Sequence, residues 1–140
     1  QYLKKANEET LVIIQLESQK ALEQADEIAA VPGVDVLMLG PGDLSVLSGI
    51  PYQFDHPIIL NAYKRCSEAA KKAGKHWGTV SGTPEHTRKL LDLDAKFICH
   101  GADIILVKRG LEQIQANYGT LGFTFDNRLA AMAAEMEKEK

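Results

Sequence analysis

The sequence has no excess of basic residues and no long apolar run. Its 140 residues include 16 lysines and arginines against 19 aspartates and glutamates, which gives a net charge of −3. That balance provides no basic surface for nucleic acid and no cationic face for a membrane. No apolar stretch approaches the roughly 20 residues that a bilayer-spanning helix needs, and residues 1–5 do not resemble a signal peptide. We therefore expect a cytoplasmic protein without nucleic-acid or membrane partners.

Cysteine is also scarce, with Cys66 in a helix-like segment and Cys99 in a strand-like one. Two distant thiols in a cytoplasmic protein are typical of buried, reduced residues rather than of a disulfide. His76, His86 and His100 have no spacing typical of zinc ligands, so surface or core positions are expected for them.

Strand-like and helix-like segments alternate along the chain, whose length suits one domain or part of one. The predicted strands are residues 11–17, 34–39, 75–80 and 96–100, and the predicted helices are roughly 19–30, 57–72, 84–93, 104–118 and 128–140. This alternation is typical of right-handed βαβ units around a parallel sheet. Four such units are half of the eight that close a (β/α)8 barrel. The pattern predicts an α/β fold, either an open four-stranded domain or about half of a barrel.

The segments between these elements carry turn and cap residues. Ser18 and Thr83 are predicted to cap the helices that follow them. Residues 40–42, Gly-Pro-Gly, are predicted to form a loop, with Ser45 capping a short helix after it, and a long polar loop reaches His56. Residues 1–126 are predicted to form the barrel-type region, and residues 127–140 a charged C-terminal helix or tail.

Two acidic residues stand out because each follows a run of buried-strand character. Glu17 closes the first strand, and Asp43 comes just after the second. The carboxyl ends of parallel strands meet at one edge of an α/β sheet or barrel, where active sites are built. Two carboxylates that converge there make a site for a hard metal ion plausible. From spacing alone, Glu17 could equally be a first-turn residue favoured by the helix dipole, and Asp43 an N-cap.

Two short motifs distinguish this sequence from a generic α/β chain. They are Gln-Leu-Glu at residues 15–17 and Gly-Pro-Gly-Asp-Leu-Ser at residues 40–45. Shorter matching segments lie at residues 29–35, 73–75 and 101–103. Together they resemble the HpcH/HpaI family of metal-dependent aldolases, which includes 4-hydroxy-2-oxoheptanedioate aldolase and 2-keto-3-deoxy-sugar-acid aldolases. The resemblance covers roughly residues 7 to 118. It implies a (β/α)8 TIM barrel, of which this chain matches strands five to eight.

The resemblance also implies the chemistry of a class II, pyruvate-type aldolase, a carbon–carbon lyase. Glu17 and Asp43 are the implied ligands of a divalent cation, with Mg2+, Mn2+ or Co2+ as candidates. Gln15, Gly42 and Asp43 are the implied substrate-binding residues. Gly42 lacks a Cβ, so backbone N–H groups can approach a carboxylate closely. Gln15 either orients a ligand or only hydrogen-bonds nearby. The implied reaction cleaves or forms a 4-hydroxy-2-keto acid through a metal-stabilised pyruvate enolate, with an aldehyde as partner.

The first half of the family's barrel has no counterpart among these residues. That half carries an arginine against the substrate's keto group and a histidine for proton transfer, so no catalytic residue is assigned within this chain. A catalytically incomplete fragment or assembly module is therefore a second hypothesis. A citrate-lyase-like or malyl-CoA-type lyase is a third, although no basic cluster for coenzyme A is present. Family members form hexamers, so a homo-oligomer is implied.

Overall fold

The computed structural model describes residues 2–125, with side chains from Lys5 onward. It divides into two compact units at the boundary between His100 and Gly101. The strands are β1 (Ile13–Leu16), β2 (Val36–Leu39), β3 (His76–Val80) and β4 (Phe97–Cys99). The helices are α1 (Tyr2–Glu9), α2 (Gln19–Glu23), α3 (Ala25–Ala29), α4 (Pro41–Leu47), α5 (Pro57–Lys72), α6 (Pro84–Asp92) and α7 (Asp103–Gly119). Within residues 2–125, no helix is both long and apolar enough to cross a membrane.

The four strands of the first unit form one parallel sheet in the order β1-β2-β3-β4. Leu16 pairs with Leu39, Leu39 with Thr79, and Thr79 with Ile98, so the register is continuous across the sheet. Spatial order follows chain order without a reversal, as it does around a barrel and unlike a doubly wound sheet. The predicted parallel α/β fold is confirmed.

One face of this sheet carries the core. Side chains alternate along a strand, so Leu16, Leu37, Leu39 and Trp77 point to the same side, and each is at most 2% exposed. Buried residues of α2, α3, α4, α5 and α6 belong to the same cluster. The long helix α5 contacts β2, β3 and α3. Helices α2 to α6 therefore cover one face, which is what right-handed crossovers in a single direction produce.

The opposite face is only partly covered within the described residues. Gln15, Met38, Gly78 and Phe97 form one cross-strand row on it, where Gln15 is exposed and Met38 and Phe97 are half-buried. Val80, one row further on, is 43% exposed. In a closed barrel this face would be the interior. The uncovered surface agrees with four strands being part of a larger barrel.

The Gly-Pro-Gly segment differs from the prediction, because it is helical rather than a loop. Pro41 is the first residue of α4 and Gly40 is its N-cap. Proline suits that position because its fixed φ is helical and its missing N–H has no partner there. Ser45 is therefore not a cap. Its hydroxyl donates to the Gly42 carbonyl (2.6 Å) and accepts from the Tyr52 N–H (2.9 Å).

Other local predictions have mixed outcomes. Ser18 and Thr83 cap α2 and α6 as predicted. The predicted helix over residues 19–30 is two short helices that meet at Gln24. Residues 2–9 form a helix that was not predicted. The predicted C-terminal helix and the boundary at residue 127 lie outside the described residues and remain predictions.

Both cysteines are free thiols, as predicted. Cys66 is fully buried, and burial raises the pKa of its thiol to about 12. Cys99 is only half-buried.

The second unit contains α7, whose predicted range of 104–118 is confirmed within a residue at each end. On its surface, Lys108 Nζ lies 3.7 Å from Glu112 Oε1. A pair four residues apart on an exposed helix contributes little to stability.

Gly78 provides a test of how closely β3 and β4 pack. A Cβ added at Gly78 would collide with the main-chain oxygen of Phe97 and lie 2.6 Å from its Cβ. Because one clashing atom is backbone, Gly78→Ala is expected to lower the free energy of unfolding by about 3 kcal/mol in urea denaturation. Gly82→Ala is the matched control, since nothing lies within 4 Å of its added Cβ. Equal stability of the two variants would contradict this packing.

Candidate metal and substrate site

Glu17 lies directly after β1 and points to the sheet face that the helices do not cover. Gln15, two residues earlier, lies on the same side because strand side chains alternate. Gln15 Nε2 donates a hydrogen bond to Glu17 Oε1 at 2.8 Å. Glu17 is half-buried and Gln15 is exposed. The amide therefore holds one carboxylate oxygen of Glu17, and the other oxygen has no hydrogen-bond partner in the part of the chain that the structure describes.

Gly40 supports the Glu17 side chain from the neighbouring strand. Its N–H donates to the Leu16 carbonyl at 3.0 Å, which extends the β1–β2 pairing by one residue. A Cβ added at Gly40 would lie 2.6 Å from Glu17 Cγ and 2.7 Å from Oε1. A side chain at Gly40 would thus displace the glutamate. The sequence alone indicates no separate role for Gly40, because the need for glycine arises from a contact between the ends of two neighbouring strands.

Asp43 is the third residue of α4 and is exposed. Among the described residues its carboxylate forms no ion pair or side-chain hydrogen bond. The N-cap Gly40 provides no side-chain acceptor for the first turn of α4. Gly42 is half-buried, and nothing lies within 4 Å of a Cβ added there. The first turn of α4 therefore presents a free carboxylate, unpaired backbone N–H groups and open space together.

Neither acidic residue has the structural position that spacing alone suggested, although Asp43 lies in the first turn of α4, where the helix dipole favours a carboxylate. Glu17 precedes Ser18, the N-cap of α2, so it is not a first-turn residue. Asp43 is inside α4 and is not its N-cap. Because β1 and β2 are adjacent and parallel, both carboxylates follow neighbouring strand ends at the same edge of the sheet.

Two carboxylates and an amide suit a hard divalent cation, since Mg2+ typically takes one or two protein carboxylates and keeps several waters. No group of three or more histidine, cysteine, aspartate or glutamate residues able to hold a metal occurs in the described part of the chain. This pair would leave most coordination positions to water or substrate. Metal binding by Glu17 and Asp43 remains a prediction.

A cavity of about 540 Å³ lies between α5 and α6, near this edge. Pro41 and Val80 are on its wall, but neither Glu17 nor Asp43 is. This cavity is not evident from the sequence, because its walls come from several helices, a strand end and loops that are distant in the chain.

Parallel strands in consecutive order, helices on one face and carboxylates at the carboxyl edge together define the (β/α)-barrel class of α/β proteins. The sequence profile described as HpcH/HpaI aldolase/citrate lyase matches residues 1–109. The chain belongs to this family, which contains aldolases and citrate-lyase-like enzymes. The family resemblance is therefore confirmed.

Curated relatives agree with this assignment. The chain is 32% identical over 118 residues to 4-hydroxy-2-oxo-heptane-1,7-dioate aldolase of Shigella sonnei, covering 84% of this chain and 45% of that protein. It is 34% identical over 112 residues to 2-keto-3-deoxy-L-rhamnonate aldolase of Klebsiella pneumoniae, covering 80% of this chain and 42% of that protein. The chain thus spans about half the length of these relatives.

Solved structures show the same relation. The citrate synthase SbnG superposes on this chain with a TM-score of 0.77 at 27% identity. The match covers 85% of this chain and 49% of the SbnG chain. An HpcH/HpaI aldolase/citrate lyase family protein from Burkholderia cenocepacia has a TM-score of 0.73 at 33% identity, covering 83% of this chain and 45% of its own. The fold therefore matches a part of each barrel-type relative.

The contact between Gly40 and Glu17 leads to a test that needs no metal. Gly40→Ala should push the Glu17 side chain away and break its hydrogen bond to Gln15. The free energy of unfolding should fall by only about 1 kcal/mol, because the displaced group is a flexible side chain. The side-chain amide resonances of Gln15 should shift in 15N NMR spectra. Gly42→Ala, which meets open space, should leave those resonances unchanged, and equal shifts in both variants would contradict the contact.

Proposed function

We propose that the protein is a class II aldolase, a metal-dependent carbon–carbon lyase that cleaves or forms 4-hydroxy-2-keto acids, with pyruvate and an aldehyde as the smaller partners. One observation carries the proposal: in a chain of this family, the Glu17 carboxylate lies over Gly40, at the sheet edge where α4 presents Asp43. A cytoplasmic homo-oligomer is part of the same proposal.

Glu17 and Asp43 are the residues that would hold the cation, as Mg2+, Mn2+ or Co2+. When bound, the ion supplies Lewis acidity, which stabilises the negative charge that develops on a 2-keto acid as its C3 proton leaves. Gln15 is a positioning residue in this proposal, because its amide fixes one oxygen of Glu17. Groups that hold a metal ligand in this way typically change affinity or activity by about 10- to 100-fold when removed.

The first turn of α4 would bind the carboxylate of the keto acid. Its N–H groups have no side-chain acceptor at the N-cap, and the positive end of the helix dipole favours an anion there. Gly42 leaves room for the anion to approach the Gly42 and Asp43 N–H groups.

Proton transfer at C3 also needs an acid–base group, and we assign none among the described residues. The proposal therefore concerns the full-length protein, of which this chain provides the implied cation ligands and the anion-binding turn. The chain's match to about half of each relative supports this division of roles.

The proposal predicts loss of activity when either carboxylate is neutralised or the metal is removed. In full-length protein, Glu17→Gln and Asp43→Asn should each lower pyruvate release from a 4-hydroxy-2-keto acid by about 100-fold or more. EDTA should abolish the release, and added Mn2+ should restore it. Pyruvate is measured with coupled lactate dehydrogenase. Glu68→Gln, an exposed glutamate on α5, is the control that should retain activity. Unchanged turnover in EDTA and in both carboxylate variants would rule out the metal mechanism.

Gly42→Ala separates anion binding from metal binding. The added methyl group meets no atom of this chain, and alanine in a helix favours folding by about 0.5–1 kcal/mol over glycine. The KM for pyruvate in the condensation direction should rise about tenfold as one charge-assisted hydrogen bond is lost. Mn2+ affinity, followed by electron paramagnetic resonance, should not change. An unaltered KM would remove Gly42 from the substrate site.

An assembly module is the second candidate, and the open sheet favours it. Within the described residues β1 and β4 each have one strand neighbour, and unpaired edges invite association. Light scattering on the 140-residue chain distinguishes the two outcomes: a defined dimer supports assembly through the edges, and a stable, well-folded monomer counts against it. The family also contains citrate-lyase-like enzymes, so activity on citrate but not on hydroxy-keto acids would favour the third hypothesis.

A further inference from the structure

The cavity between α5 and α6 has the size and composition of a small-molecule site. Its volume of about 540 Å³ lies within the range typical of ligand pockets. Leu60, Leu90, Leu93 and Phe54 contribute apolar walls. None of the implied metal-binding or substrate-binding residues lines it, although Pro41, next to Gly42, is on its wall.

Tyr63 is the unusual member of the cavity wall. Its side chain is 3% exposed, and its ring lies 6.3 Å from that of Trp77 and 5.7 Å from that of His86. Its hydroxyl is buried and has no hydrogen-bond partner among the described residues. Burial, with a smaller contribution from Asp55, raises the pKa of Tyr63 to about 12. The hydroxyl therefore stays protonated at neutral pH and is a donor that lacks an acceptor.

The charges around the cavity favour a neutral ligand. Lys64 and Lys89 are on its walls together with Asp55 and Glu85, so the formal charges cancel. None of the four is in an ion pair within the described residues. Burial and the nearby Lys89 lower the pKa of His86 against an opposing effect of Asp55, which keeps this ring neutral as well.

We propose that this cavity binds a small, neutral, mostly apolar carbonyl compound whose oxygen accepts a hydrogen bond from Tyr63. The carbonyl oxygen satisfies the buried donor, and the apolar remainder fills the space between the two helices. The hydroxyl is closed to solvent, so a wall side chain must move for the ligand to reach it. The half-buried His86 ring is the neighbour that we expect to move.

Trp77 provides a specific reporter because it is the only tryptophan in the sequence. Its indole N–H donates to the Leu93 carbonyl at 2.8 Å, and Leu93 lines the cavity. Its single indole resonance in a 15N NMR spectrum should therefore shift when the cavity is filled. The probes are acetophenone and ethylbenzene, which have similar shapes but differ in the carbonyl oxygen.

Acetophenone should shift the Trp77 resonance saturably and bind about fivefold more tightly than ethylbenzene, at matched concentrations within the solubility of both. Tyr63→Phe should remove this preference while keeping a folded spectrum. Absence of a saturable shift with acetophenone, or a preference that survives in Tyr63→Phe, would overturn the proposal.

A second pair of variants tests the location. Leu60 lines the cavity and is 40% exposed, so Leu60→Asp places a charge on its wall without emptying the core. It should weaken binding of both probes at least tenfold. Leu91→Asp is the matched control, since Leu91 is 48% exposed on α6 and does not line the cavity. Equal binding by the two variants would place the probes elsewhere and refute the site. Because no variant touches Glu17 or Asp43, the result is independent of the aldolase proposal.

Discussion

The parallel pairing of β1 with β2 is the constraint on which the candidate metal site depends. Leu16 and Leu39 are in register, and the Gly40 N–H bonds to the Leu16 carbonyl just beyond them. This places Glu17 beside Gly40 and starts α4 at the next residue. A slip of one residue would turn Glu17 to the helix-covered face, because side chains alternate. The backbone ladder, more than any side-chain contact, thus sets where the carboxylates lie.

The register is itself held by the single core of the first unit. Leu16, Leu37, Leu39 and Trp77 all point toward the helices, and a slip would expose them to water. Each fully buried aliphatic side chain contributes about 1.5–3 kcal/mol. Gln15 and Glu17 lie on the other face, toward the carboxyl edge. Burial of one face therefore determines which side chains remain free for chemistry.

Glycine has different physical roles at two positions near this edge. Gly40 is required because the Glu17 side chain occupies the space of a Cβ. A Cβ added at Gly42 would have no atom within 4 Å, so its proposed role depends on a ligand rather than on a contact within the protein. The two residues look alike in the Gly-Pro-Gly string. Their different environments depend on which strand lies beside this segment, and spacing along the chain does not contain that information.

The sequence by itself determined the parallel α/β class, most element positions, the caps at Ser18 and Thr83 and the family, because these depend on local periodicity, cap chemistry and short strings. It did not reveal the helical start at Pro41, the break at Gln24, the support of Glu17 by Gly40 or the cavity around Tyr63. Only the tertiary structure decided these, because each depends on groups brought together from distant elements. Contacts between residues far apart in the chain follow from register and packing, which local patterns restrict but do not specify.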